Sequence, residues 1–400
     1  MSLTMSSTIS PTTSSTTLRP IAIAALLICT LFSSACAVVH VDNLADDALS
    51  GRDNNTPGSI AAQNYLIDLL SGFGAPGLNT TGSGDQAYKQ TFTAGTNILA
   101  LIPGSDLANE YVIVGAHYDH LAGCTAHSPG ATICNGATDN ATGVAAVLEI
   151  AWRIKAGEVP APRRSIVLAF WDREEDGLLG SAFYTNNPLV PLANTVAYIN
   201  FDIQGSNLLP SLRGSSFAIG AETGGAAMVA ALQSAIASQP LQTQLVSSIF
   251  GQNRSDYINF INQGVPTVFF SDSTGPCYHT TGDDFSVVDF GKLYQQINIA
   301  SALTTELASG ALTPTFNGAA PLASFEDALA IDAVLQLALT DLDRFTPGQQ
   351  ATVQAAAAAI AAIVADGSAN FDGADINTLL VNSVTLVSLL ASGECDGFLL

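Results

Sequence analysis

Between residues 111 and 307, four short apolar runs alternate with stretches of helical periodicity, and that alternation leaves few folds open. The runs at 111–116, 165–171, 196–201 and 266–271 are apolar on both parities, as strands buried on two faces require. Helical patterns at 142–155, 222–238, 255–263 and 287–307 separate and follow them, and another precedes them at 60–72. Strand and helix in alternation predict an α/β domain, a mostly parallel sheet with helices on both faces. In such a sheet the ligand site lies beyond the carboxyl ends of the strands.

Those ends carry the chemistry. The first run ends in His117, Tyr118 and Asp119, and the turn before the 142–155 helix holds Asp139 and Asn140. The second run leads into Asp172, Glu174, Glu175 and Asp176, the third into Asp202, and His279 follows the fourth. Each residue alone reads as a turn or cap. Together, at corresponding strand ends, their carboxylates would repel unless a cation neutralised them. Imidazoles mixed with carboxylates suit zinc, suit manganese or cobalt less well, and disfavour calcium. Five ligand side chains exceed what one open catalytic zinc takes and match two zincs sharing a carboxylate. The adjacent Glu174 and Glu175 let one ligate while the other acts as a base, and Asp119 can accept a hydrogen bond from the second ring nitrogen of His117.

The stretches 114–121 (VGAHYDHL), 135–143 (NGATDNATG), 174–181 (EEDGLLGS), 200–205 (NFDIQG) and 278–283 (YHTTGD) resemble, in order, the motifs of the co-catalytic di-zinc aminopeptidase family. That family includes secreted bacterial leucyl aminopeptidases and aminopeptidase Y, with glutaminyl cyclases and glutamate carboxypeptidases as relatives. The segment 96–104 is similar to its strand and turn before the first ligand, and the resemblance covers about 58–307. It implies a zinc-exopeptidase-like mixed sheet and a secreted zinc aminopeptidase acting on peptide or protein N-termini. It further implies that Asp139 bridges two Zn2+, that His117 and Asp202 hold one and Glu175 and His279 the other, and that Glu174 is the general base for a metal-bridging water. A carboxypeptidase, a glutaminyl cyclase, or a non-catalytic binding protein on a retired peptidase fold are the alternatives.

Departures accompany the resemblance. Arg254-Ser255-Asp256-Tyr257 stands where the family commonly shows Ser-Asp-His, and a loop bounded by Cys124 and Cys134 separates the first two ligands. His120 and His127 read as surface or loop histidines, and Trp171, Phe269 and Phe270 as sheet core.

The flanks differ from the sheet region. Residues 1–18 are Ser/Thr-rich, Arg19 precedes an apolar stretch at 21–32, and Ala35-Cys36-Ala37 matches a cleavage site, so 1–37 reads as a signal peptide and the mature protein as secreted, periplasmic or in the cell envelope. The alternative is a lipoprotein anchored at Cys36, against which Ser33 stands where a lipobox carries Leu. Residues 38–57 read as an extended N-terminal segment and 58–312 as the catalytic domain. Of six cysteines, Cys124, Cys134, Cys277 and Cys395 lie beyond the signal, and in an exported chain they predict disulfides, Cys124–Cys134 first and Cys277–Cys395 as a second pair. From 313 to 400 the chain becomes Ala-rich and acidic and reads as a helical appendage, with one helix running through 351–365, too short to span a membrane. Residues 368–373 look superficially like a calcium loop but lack its closing Glu. A net charge of -22, from 12 Lys+Arg against 34 Asp+Glu, excludes a phosphate-backbone partner, so no nucleic acid is expected.

Overall fold

The computed structural model describes residues 36–395. The chain enters through helix α1 (Cys36–Leu44), a 3-10 segment (Asp47–Arg52) and α2 (Pro57–Gly72). Strands β1 (Lys89–Thr91), β2 (Thr96–Ile102) and β3 (Leu107–His117) lead to α3 (Thr142–Ala156), and β4 (Arg164–Trp171) leads to α4 (Leu179–Asn186). Strands β5 (Thr195–Phe201) and β6 (Ser215–Ile219) precede α5 (Gly225–Ile236), β7 (Gln242–Val246) precedes α6 (Tyr257–Ile261), and β8 (Thr267–Ser271) precedes α7 (Phe290–Ser309). Helices α8 (Phe325–Ala338), α9 (Pro347–Asp366) and α10 (Gly373–Ala391) follow.

The strands form one mixed sheet in the order β1-β2-β4-β3-β5-β8-β6-β7. Its centre, β4-β3-β5-β8, is parallel, while β2 and β6 run antiparallel against β4 and β8. His117 pairs with Trp171, Gly115 with Asn200, and Phe201 with Phe270, so the carboxyl ends of the four parallel strands are level. This is the predicted α/β architecture.

Period two decides which helix each strand residue meets. On β4, Ile166, Leu168 and Phe170 join the core under α1, α2, α3 and α7, while Val167, Ala169 and Trp171 join the opposite core with Tyr184 of α4 and Phe260 of α6. Both faces are covered, which is why the strand sequences show no polar alternation. Each such fully buried aliphatic or aromatic side chain stabilises the fold by about 1.5–3 kcal/mol. Helix starts follow their capping residues: the Thr56 hydroxyl accepts from the Ser59 amide with Pro57 in the first turn of α2, and Thr346 with Gln349 closes a capping box at α9.

Several expectations are corrected. The segment 38–57 is not extended: it belongs to α1 and to a 3-10 turn capped by Asp46. The expected signal segment lies outside the described residues except for Cys36 and Ala37, which are buried in the first turn of α1. Strands β6 and β7 are five residues each and mix polar with apolar side chains, so neither shows a continuous apolar run, and β1 consists of three residues. Helix α9 spans 20 residues rather than 15, and α9 and α10 are each long and apolar enough to cross a membrane by length and composition. Both expected disulfides, Cys124–Cys134 and Cys277–Cys395, are present. Asp372 and Asp375 near the calcium-like loop form the capping box of α10.

Candidate metal centre

Beyond the level ends of β3, β4, β5 and β8, the expected ligands meet in one buried cluster. His117 is the last residue of β3, Asp139 lies in the turn before α3, Glu174 and Glu175 follow β4, Asp202 follows β5, and His279 lies on the loop after β8. His117 Nε2 is 3.3 Å from Asp139 Oδ1 and 3.5 Å from Asp202 Oδ1. His279 Nε2 is 3.3 Å from Asp139 Oδ2 and 3.1 Å from Glu175 Oε2. The two oxygens of Asp139 therefore face two different imidazoles.

These separations test whether metal fits. Zinc bonds N and O at about 2.0–2.2 Å, so tetrahedral neighbours lie roughly 3.3–3.5 Å apart. The four distances fall in or just below that window. The ring nitrogens that would bind are also orphaned: Nε2 of His117 and of His279 are buried without a hydrogen-bond partner. A buried polar atom without a partner is rare enough to need an explanation, and a cation supplies one here.

Charges in the cluster point the same way. Burial alone would push the His117 imidazole down, but Glu174 and Asp202 facing it outweigh burial and hold it well above its ordinary value. His279 is likewise raised, to about 10, because Asp139 and Glu175 overcome its burial. Asp139 sits well below the carboxylate range, burial being outweighed by His117 and His279. The histidines thus hold protons that dications would displace. Glu174 behaves oppositely: burial, with Asp202, Asp256 and Glu175 nearby, raises its carboxyl well above the usual value against the pull of His117. Its Oε2 lies 3.9 Å from His117 Nε2, farther than the other carboxylates named.

A surrounding layer fixes the donors. His117 Nδ1 is 3.1 Å from the Asp119 carbonyl and donates to it, which leaves Nε2 as the lone-pair nitrogen. The Asp119 carboxylate lies farther, 3.6 Å from Nδ1, and accepts instead from the amides of Glu174 and Glu175 at 3.1 and 3.3 Å. Asp119 therefore ties the end of β3 to the loop after β4, a larger part than holding one ring nitrogen. Asp283 does the same for the turn before α3, accepting from the Thr138 and Asp139 amides at 2.8 and 3.0 Å. Gly136 has φ +56, and a Cβ there would stand 2.2 Å from the Asp139 carbonyl and 2.5 Å from the His120 ring, so only glycine fits that turn.

Three residues belong to the cluster that the sequence did not assign to it. His120, read as a surface or loop histidine, is buried, lies 2.7 Å through Nδ1 from Glu175 Oε1, and packs edge-on against His279. Its spacing of three from His117 is the signal that could have found it. Asp256 is fully buried, its carboxyl pushed up to about 7 chiefly by burial, against the pull of His117 and the Ser181 hydroxyl. Arg52 comes from the 3-10 segment before α2 and lies beneath the cluster. Its guanidinium donates to the carbonyls of Tyr118 (2.9 Å), Asn135 (2.7 Å), Gly136 (3.1 Å) and Leu44. Burial lowers it to about 10, with Asp119 and Asp139 pulling back upward. His127 is exposed and stays outside the cluster, as expected, and Trp171 and Phe270 are core. Phe269, buried in the core, also lines the cavity beside the cluster.

Comparison with known proteins agrees with this construction. The chain is 32% identical over 169 residues to leupeptin-inactivating enzyme 1 of Streptomyces exfoliatus, a match covering 42% of this chain and 35% of that protein. It is 32% identical over 163 residues to an aminopeptidase of Pseudomonas aeruginosa, covering 39% and 27%. The chain thus spans about a third of the length of the curated relatives it matches. A Zn-dependent exopeptidase from Parabacteroides distasonis shares the fold, with a TM-score of 0.52 at 20% identity, covering 69% of this chain and 97% of that one. The family model of peptidase family M28 matches residues 97–304, just over half of the chain and a span that contains His117, Asp139, Glu175, Asp202 and His279, and the protein belongs to that family.

Proposed function

We propose that the protein is a zinc-dependent metallo-exopeptidase, an aminopeptidase that removes N-terminal residues from peptides, with 58–312 as its catalytic domain and 313–400 as an appended helical region. The observation that carries this reading is Asp139 between His117 and His279, one carboxylate oxygen toward each at 3.3 Å. A carboxylate so shared suits two metals, one held by His117, Asp139 and Asp202 and the other by His279, Asp139 and Glu175. Zinc bound there would polarise the scissile carbonyl and acidify the attacking water.

The remaining work falls to the chain. Glu174 has its amide anchored by Asp119 and its carboxyl raised, so a proton taken from the attacking water at Oε2 can be passed to the departing amine. Glu174 and Asp256, buried acidic side chains outside the two proposed ligand sets, leave room for the amino terminus of an unblocked peptide, which is the basis of exopeptidase selectivity. The two disulfides and the apolar leader support action outside a reducing compartment.

The test is a panel of aminoacyl chromophores beside amino-blocked controls, with metal content measured on the same protein. Free-amino substrates should be cleaved and about two zincs bound per chain. One zinc points to a cyclase arrangement, none after zinc reconstitution removes both enzyme readings, and equal cleavage of blocked substrates removes the aminopeptidase. Glu174→Ala should keep its zinc and lose about 10²–10⁴ in kcat, whereas Asp139→Ala should lose zinc as well.

A further inference from the structure

Beside the cluster lies a cavity of about 170 Å³, with Asp139, Glu174 and Asp202 at one end. One side is built by the sheet and its loops, through Ile203, Phe217, Ile219, Phe269 and Tyr278. The other side comes from beyond the M28 span, which ends at residue 304. Helix α8 contributes Ile331, Val334, Leu335 and Ala338, and α10 contributes Ser383, Leu386, Val387, Leu389 and Leu390. The α8 set follows the spacing i, i+3, i+4, i+7, which is one face of a helix, and the α10 set is such a face with Leu389 at its edge.

We propose that α8 and α10 form the wall of the subsite for the substrate's leading side chain, and that this wall, rather than the catalytic domain, sets the largest apolar side chain accepted. The inference rests on the aminopeptidase reading for its kinetics but not for the pocket itself. A large apolar concavity left open beside convergent polar groups marks a ligand-binding site. Here two separate helices turn their apolar stripes toward empty space that ends on the proposed general base. Of all α10 residues only Leu379 is buried, so the helix is not held in place by a core of its own. It is held by chain connectivity instead: Cys395, four residues past its end, is bonded to Cys277, which lies two residues before His279. The wall is thereby fixed to the loop carrying a candidate ligand. A space of about 150 Å³ accepts a benzene ring, so the volume suits one side chain of Leu or Phe size. The exposed Arg254 at the cavity's lining is the one basic side chain there, which leaves the interior without a partner for an acidic side chain.

Leu390→Trp in the full chain should fill the pocket. Its kcat/KM for Leu and Phe chromophores should drop about 10-fold or more relative to that for Ala, the range one lost pocket contact gives. Leu386→Ala should shift the preference the opposite way, toward Trp over Leu. Zinc content and circular dichroism check that each variant is folded, and Ile331→Phe replaces Leu390→Trp if that variant is not. Independently of turnover, saturating toluene should raise the thermal midpoint of the wild type and not of Leu390→Trp. A toluene shift in a protein that cleaves no free-amino substrate leaves the pocket standing and removes the aminopeptidase. Kinetic changes uniform across the panel, or a toluene shift unaffected by the substitution, overturn the proposal.

Discussion

Arg52 holds four carbonyls with one side chain, and two of its partners, Tyr118 and Gly136, lie within three residues of His117 and Asp139. A buried guanidinium in that position both aligns the ligand turns and places a positive charge under the carboxylates. Arg52→Met leaves those carbonyls buried without a donor, and about 3 kcal/mol or more of stability should go with it. Arg52→Lys keeps the charge but not the fork, so it should fold, unfold at lower urea than wild type, and release zinc faster to a chelator. Equal urea midpoints and equal zinc release for Arg52→Lys and wild type would remove the clamp. The candidate ligands were legible because His and acidic residues recur at corresponding strand ends, although each alone reads as a turn or cap. Arg52 was not, since its role depends on bonds to main-chain atoms 66 to 84 residues away, which no local pattern encodes.

At the scale of elements, the central strands could be read from composition because burial on both faces leaves a continuous apolar run. Strands β6 and β7 could not, since Ser215, Ser216, Gln242 and Gln244 interrupt any such run and pairing alone makes them strands. Helix α1 was hidden as well: its nine residues include His40, Asp42 and Asn43, yet it packs in the main core through Val41 and Leu44. His40 is fully buried, with Nδ1 2.8 Å from the Tyr65 hydroxyl, and burial pushes its imidazole down to about 3. The folded state keeps His40 neutral while the unfolded chain protonates it below about pH 6.5, so the unfolded state binds the extra proton between about pH 6.5 and the folded value. Stability from this group is therefore complete above that window and falls as the pH drops through it, by about 1.4 kcal/mol per pH unit. Between about pH 7.5 and 5.5 the wild type should lose about 1.4 kcal/mol more than His40→Gln by urea denaturation. Parallel losses in the two proteins would show that α1 does not respond to this proton.

Over the whole molecule, much of the charge of -22 is concentrated in a buried acidic cluster that cations can offset and in an acidic C-terminal region, and the cavity lies between that cluster and the region's helices. What joins them is a covalent ring of 118 residues closed by Cys277–Cys395, which contains α7, α8, α9 and α10. Helices α8 and α9 share a small core through Ala328, Leu335, Ala357 and Ile360, to which α10 adds the buried Leu379 and the half-buried Leu386 while exposing Val381 and Val384. With one fully buried residue, α10 has little packing of its own to resist displacement once the cross-link is gone. The bond tethers its end to the loop after β8, while the sheet, with both faces packed, does not depend on it. Replacing both cysteines by serine should leave the sheet region folded and free α10 first. Limited proteolysis read by mass spectrometry should then show new cuts between 367 and 395 at protease levels that leave 58–312 intact. Selectivity among Leu, Phe and Ala chromophores should weaken in the same protein, because the wall moves with the helix. First cuts inside 58–312, or a cleavage pattern identical to that of the wild type, would mean that packing rather than the disulfide holds α10 over the cavity.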